Sequence, residues 1–244
     1  MKEELEIVEK ISNSKIFEKI YDDGFSSPVV EVSKIGTDLV KSARLILAPL
    51  QVVATFQDRF EIFLKNLNMR VEEENQVQPP AELTSVCIER MKYIDLDNPL
   101  WEMFEELLIK SMSKDSISQV HPSFGQIIGQ LSPDEALLMY ELNKSEFFVA
   151  SQMDLNHQSN RFENRRVLTS TIPKDKLANP EAFNIYYAHL ESLSLITWPV
   201  TNEVPVRVGS RQTGLKSNSE IHLTDFGKLF VAACIPEAGF RKIS

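Results

Sequence analysis

The side chains of this 244-residue chain that could carry acid–base, nucleophilic or metal chemistry are few: His121, His157, His189 and His222, Cys87 and Cys234, and the acidic pairs Asp95/Asp97 and Asp134/Glu135. Their spacing argues against a site. The histidines are scattered without the short separations that a zinc ligand set uses. There is no HExxH, CxxC or GxSxG, and 8 glycines leave no glycine-rich phosphate loop. Asp95 and Asp97 form a DxD that could chelate a metal, but they precede Asn98-Pro99 and read as a helix-capping turn. His121-Pro122 stands at a helix entrance with no nucleophile or second base arranged around it. Ser132-Pro133-Asp134-Glu135 is a capping box: the serine caps the first turn, Pro133 takes the first helical position, and both acids lie where the helix dipole favours them. The expectation is a protein that is not an enzyme, with no metal and no cofactor.

The remaining candidates are binding groups. Arg207, Arg211 and Lys216 lie on a predicted hairpin, and His189 lies on the helix before it. These four are the candidate partner- or nucleic-acid-binding residues. The net charge of -9 excludes a generic polyanion binder. The charge is uneven: residues 1–150 carry 15 Lys+Arg against 26 Asp+Glu, residues 151–244 carry 11 against 9, and two modules fit that split. Cys87 and Cys234 fall in apolar helical patterns, which predicts buried free thiols in a reducing compartment.

These residues must be positioned by elements that the hydrophobic period reveals. Apolar side chains recur in steps of three and four from Val32 to Leu67, which predicts a long helix over 28–67, started by Ser27-Pro28 and kinked at Pro49. Its Leu45–Phe56 stretch is apolar nearly all round yet too short to span a bilayer. It reads as core, or as an oligomer or membrane-inserting surface. A polar loop ends at Pro79-Pro80, where the next helix opens. Asp97 or Asn98 caps a further helix with the apolar face Leu100, Trp101, Phe104, Leu107, Leu108 and Met112. EFFVASQMD is β-rich, and NHQSNRFENRRV is polar and basic, a loop or short irregular helix. PEAFNIYYAHLESLSLI reads as a helix, VPVRVGSRQTGLKSNSEIHL as a hairpin, and LTDFGKLFVAAC as a closing helix capped by Thr224.

From Leu131 to Ile235 the order resembles a winged-helix domain, with LESLSLI before the hairpin and EIHLTDFGKLF after it. The expected fold is therefore mainly α: an N-terminal helical domain over 1–130, then a C-terminal winged-helix-like α+β domain over 131–244. The recognition helix of that reading, Glu181 to Ile196, contains no Lys or Arg and is poorly equipped to neutralise phosphates. A protein-interaction role is favoured over DNA binding through the basic hairpin.

Several longer motifs add a family resemblance: IYDDGFSSPVVEVSK, LILAPLQ, QPP before a helix, LWEMFEELLIKSM, HPSFGQIIGQLSPDEALL and LTDFGKLF. They resemble the abortive-infection alpha family of bacterial proteins. The resemblance implies defence against bacteriophage, in which infected cells stop growth or die. It implies no known enzymatic activity and assigns no catalytic residue. The expected partner is a phage or host protein, with self-association as a further expectation. Nucleic acid is a less favoured partner, and membrane perturbation by Leu45–Phe56 a smaller alternative. MKEELEIVEK lacks the apolar core of a signal peptide, so the expected compartment is the cytoplasm.

Overall fold

In the computed structural model of the protein, residues 59–241 are described. The part of the predicted long helix before residue 59, with Pro49 and the Leu45–Phe56 run, lies outside the described residues. The rest divides into two compact units. One comprises the described parts of Met1–Gln130 and Ala233–Ser244, and the other is Leu131–Ala232.

The first unit is helical: α1 over 59–70, α2 (Ala81–Met91), α3 (Pro99–Ser111) and the short α4 (Phe124–Ile128). Helix α3 starts as its residues dictate. Pro99 takes the first position and the Asn98 side chain accepts the Leu100 N–H at 2.9 Å. The predicted face, Leu100 through Met112, is buried, and so is the opposite side, where Glu102, Glu105 and Glu106 are each no more than 3% exposed. Buried carboxylates are tolerated only when paired, and these are. Arg70 grips Glu106 with two hydrogen bonds of 2.7 and 2.8 Å, Asn66 and Arg241 reach Glu105, and the Arg241 backbone N–H donates to Glu102 at 3.0 Å. Burial pushes the Glu102 carboxyl above its ordinary value, with Arg241 opposing the shift.

The second unit corrects the expected fold class. It contains α5 (Pro133–Lys144), β1 (Phe147–Asn156), β2 (Arg161–Ser170), α6 (Phe183–Ser192), β3 (Ile196–Thr197), β4 (Val200–Val208) and β5 (Arg211–Leu223), and leads into α7 (Asp225–Cys234). The chain is not mainly α. It is an α+β protein with a five-stranded antiparallel sheet following helices. Strands run in the order β2-β1-β5-β3, and β4 pairs with β5 beside β3. Two long hairpins, β1–β2 and β4–β5, thus lie side by side where one wing was expected.

The missed element is β2. It forms where NHQSNRFENRRV is expected to be a loop or short irregular helix, and every residue of RFENRRVLTS is exposed, so no buried alternation marks it. A turn makes the hairpin instead. Asn156 Oδ1 accepts the Gln158 and Ser159 N–H groups, and Asn160 takes a left-handed φ of 54°. Helix α6 is also shorter than the periodic pattern. Ser194, at φ 60°, turns the chain into β3.

Helix α7 is capped as expected, Thr224 Oγ1 accepting the Gly227 N–H at 2.9 Å. Gly227 is required there: a Cβ would fall on the Leu195 carbonyl oxygen, the same oxygen that accepts the Thr224 N–H.

Candidate interaction surface

The residues that looked most chemical are used as a joint inside the second unit. The capping box at the start of α5 forms as predicted: Ser132 Oγ accepts the Glu135 N–H, and the Ser132 N–H donates to Glu135 Oε2 at 2.7 Å. Glu135 has a second duty, since its Oε1 lies 2.7 Å from His189 Nδ1 on α6. Asp134 does more than complement the dipole. Its carboxylate accepts the Ala178 N–H at 2.8 Å, the Asn179 N–H at 2.9 Å and the Tyr186 hydroxyl at 2.9 Å. Both acids are buried and their oxygens are occupied.

His121 closes a turn, its Nδ1 lying 2.8 Å from Ser123 Oγ and accepting the Ser123 N–H. Asp95 bonds Arg59 at 2.8 Å. No group of three His, Cys, Asp or Glu side chains that could hold a metal exists among the described residues. Cys87 and Cys234 are buried and free, as predicted. Burial pushes the Cys87 thiol up to about 12 and holds Cys234 well above its ordinary value.

The four candidate binding residues do not form one site. Arg207 and Arg211 sit near the tip of the β4–β5 hairpin, paired with Gln212 and Val208, and Lys216 stands in mid-β5 across from Val204 and Gln152. Arg211 Nε donates to His157 Nε2 in the neighbouring hairpin turn at 3.1 Å. His189 belongs to the joint described above. Strand β2 adds three cations, Arg161, Arg165 and Arg166, from a segment expected to be a loop or short irregular helix. Arg166 is held by Asp154 at 2.6 Å. The available signal was the asparagine-bounded NHQSN between two extended runs, whose last four residues, His157 to Asn160, form the hairpin turn.

The two faces of the sheet differ, because paired residues share a face and neighbours along a strand alternate. One face carries Gln152, Asp154, Arg166, Glu163, Lys216 and Glu220, and is charged. On the other, Phe147, Val149 and Ile221 are buried in the core, followed by the buried serines Ser151, Ser217 and Ser219. Trp198 seals this layer. Its Nε1 donates to Ser219 Oγ at 2.8 Å, and Tyr187 meets its ring edge-on at a centroid distance of 5.0 Å. Arg165 lies over the same ring at 5.6 Å and donates to Ser151 Oγ. Beyond the serines this face continues as Met153, Leu155, Phe162, Val167, Leu215 and Pro205, and none of these six is buried. Phe162 is 40% exposed and Val167 60%. Met153, Leu155 and Leu215 are half-buried, and Phe162, Val167 and Pro205 are exposed.

The fold is α+β, and its recognisable polar constellations are structural joints. The model of the abortive infection alpha family matches residues 48–234, and the chain belongs to that family. Membership implies a role in abortive infection, a defence against bacteriophage. No curated protein and no solved structure matches the chain. Among the described residues no helix is long and apolar enough to cross a membrane.

Proposed function

We propose that the protein serves abortive infection in the cytoplasm by binding a protein partner, of phage or host origin or its own kind, and not by catalysis. The observation that carries this reading is the apolar outer half of the sheet face, where the core pattern runs on past its cover. Aliphatic side chains dominate it, and they suit a protein surface better than nucleobases, which stack on aromatic faces. The test is a phage challenge of bacteria expressing the protein, at low and high phage dose, with culture density followed in time. Protection at low dose and early collapse at high dose are expected for the wild type, and loss of both for Met153→Glu at equal expression. Full protection by that variant removes the sheet face from the mechanism.

A second reading rests on the six cations of the two hairpins, which could contact a nucleic-acid backbone. It is disfavoured because Arg166 is neutralised by Asp154 and the segment Glu181 to Ile196 contains no Lys or Arg. Salt-sensitive DNA binding that weakens in Arg207→Ala and Arg211→Ala would support it. Binding unaffected by both substitutions would sink it.

A further inference from the structure

We infer that the outer apolar face of the two-hairpin sheet is a dimer interface, occupied by a second copy of this chain. The inference rests on the reading of that face as a protein-binding surface and commits to one occupant.

The need for an occupant is physical. Domains are built from packed layers, and an antiparallel sheet keeps one face in water only by burying the other. Toward the core the face is covered, since Val149, Ser151, Ser217 and Ile221 are buried. Two residues further along, Met153 and Leu215 are paired cross-strand, apolar and only half-buried, with the exposed Pro205 beside Leu215 on β4.

The structure discourages other ways of covering it. Strand addition at the edges is blunted: the β1–β2 ladder has two register shifts, and β4 carries Pro205 and two shifts of its own. Insertion into a lipid surface would require apolar hairpin tips, whereas the turns here are His157-Gln158-Ser159-Asn160 and Gly209-Ser210.

Charge selects a second copy. Residues 1–150 carry 15 Lys+Arg against 26 Asp+Glu, so copies meeting through that part repel, whereas residues 151–244, with 11 against 9, do not. On the apolar face one cation and one anion stand at the same level beside the patch, Arg165 and Glu203, while Arg211 shares the face further out at the hairpin tip. Arg165 bonds Ser151, Glu203 bonds Ser217, and Ser151 pairs with Ser217. Arg165 lies on the β2 edge and Glu203 on the β4 edge. A two-fold axis running along the strands between two such faces sets β2 of one copy over β4 of the other. It thereby brings Arg165 opposite Glu203 of the second copy, twice, with the aliphatic rows packed between them.

The test is sedimentation equilibrium of the purified full chain, with circular dichroism of every variant as the folding control. The wild type is expected at twice the chain mass of 27.8 kDa. Leu215→Glu should return the chain mass, while Lys216→Glu, on the opposite face, should leave the dimer intact. Arg165→Glu and Glu203→Arg should each weaken the dimer, and the two together should restore it. Pro205 is exposed on an edge strand and in this arrangement faces β2 of the second copy, so Pro205→Cys combined with Val167→Cys should fold normally and cross-link between copies under copper oxidation, whereas its opposite-face neighbour Val204→Cys in the same Val167→Cys background should not. That comparison decides the matter if Leu215→Glu fails to fold. A wild type that stays monomeric up to its solubility limit overturns the inference, as does a dimer indifferent to Leu215→Glu, or equal cross-linking from both cysteine pairs. A monomeric wild type that still protects cells, with protection lost in Met153→Glu, would refute the dimer and leave the protein-binding function standing.

Discussion

Replacing Asp134 with alanine separates a helix-capping role from a tertiary one. As the second residue of α5, Asp134 gains from the helix dipole alone about 0.3–1 kcal/mol, and a purely local role would lose no more than that. In the structure the carboxylate also accepts three hydrogen bonds, from the Ala178 and Asn179 N–H groups and the Tyr186 hydroxyl. A hydrogen bond to a charged group contributes about 1.5–3 kcal/mol, so three independent ones would give roughly 5–9 kcal/mol. They share one carboxylate, and Tyr186 is half-exposed, so water recovers part of the loss. The expected cost of Asp134→Ala is about 3–4 kcal/mol on that basis. Asp134→Asn should lose nearly as much, because its amide NH2 must face a donor that the second carboxylate oxygen now accepts. Urea denaturation followed by tryptophan fluorescence, with Trp198 in the same unit, reads both variants. A loss below about 1 kcal/mol for Asp134→Ala would refute the reasoning and return the residue to its capping role.

Three further outcomes follow from particular contacts. Gly227→Ala, which in an ordinary helix interior would stabilise by about 1 kcal/mol, should instead lower the thermal midpoint or prevent folding, since its Cβ falls on the Leu195 carbonyl oxygen; a raised midpoint would show that the α7 start has room to move. The two thiols should resist an aromatic disulfide reagent at pH 8 in the native protein and react fully in urea, because burial raises both pKa values and Cys87 reaches about 12. Glu141 is partly desolvated, but hydrogen bonds from Lys176 and Lys144 outweigh the burial and hold its carboxyl below the ordinary value. Its charge therefore stabilises the fold above the ordinary carboxylate pKa of about 4.3, and that contribution disappears as pH falls through the lowered value. Glu141→Gln should be less stable at pH 7 by under about 1 kcal/mol, since both lysines are partly exposed, and the gap should close on acidification. A gap that widens as pH falls would reverse the assigned sign.

The candidate site was legible only in part. Arg207, Arg211 and Lys216 were placed correctly on a hairpin, because a glycine-containing turn between extended runs is a local signal. His189 stands on the helix before that hairpin, as expected, yet it is bound to Glu135, a residue 54 positions away. The apolar face could not be read either. It is assembled from Met153, Phe162, Pro205 and Leu215, which lie on four strands and share a face only through the register of β2-β1-β5 and of β4 on β5.

By itself the sequence determined what depends on neighbours three or four residues apart: the starts of α3 at Asn98-Pro99, of α5 at Ser132–Glu135 and of α7 at Thr224, and the apolar stripe of α3. Caps and helical periods are set within one or two turns of chain, so they survive without knowledge of the fold. Only the tertiary structure decided that three α3 glutamates could be buried, because Arg70, Asn66 and Arg241 come from elsewhere in the chain to satisfy them. It alone made a strand of RFENRRVLTS, whose residues are all exposed and whose extended form is held by the ladder to β1. Backbone pairing of this kind leaves no hydrophobic period behind, and for that reason the chain reads as mainly α and folds as α+β.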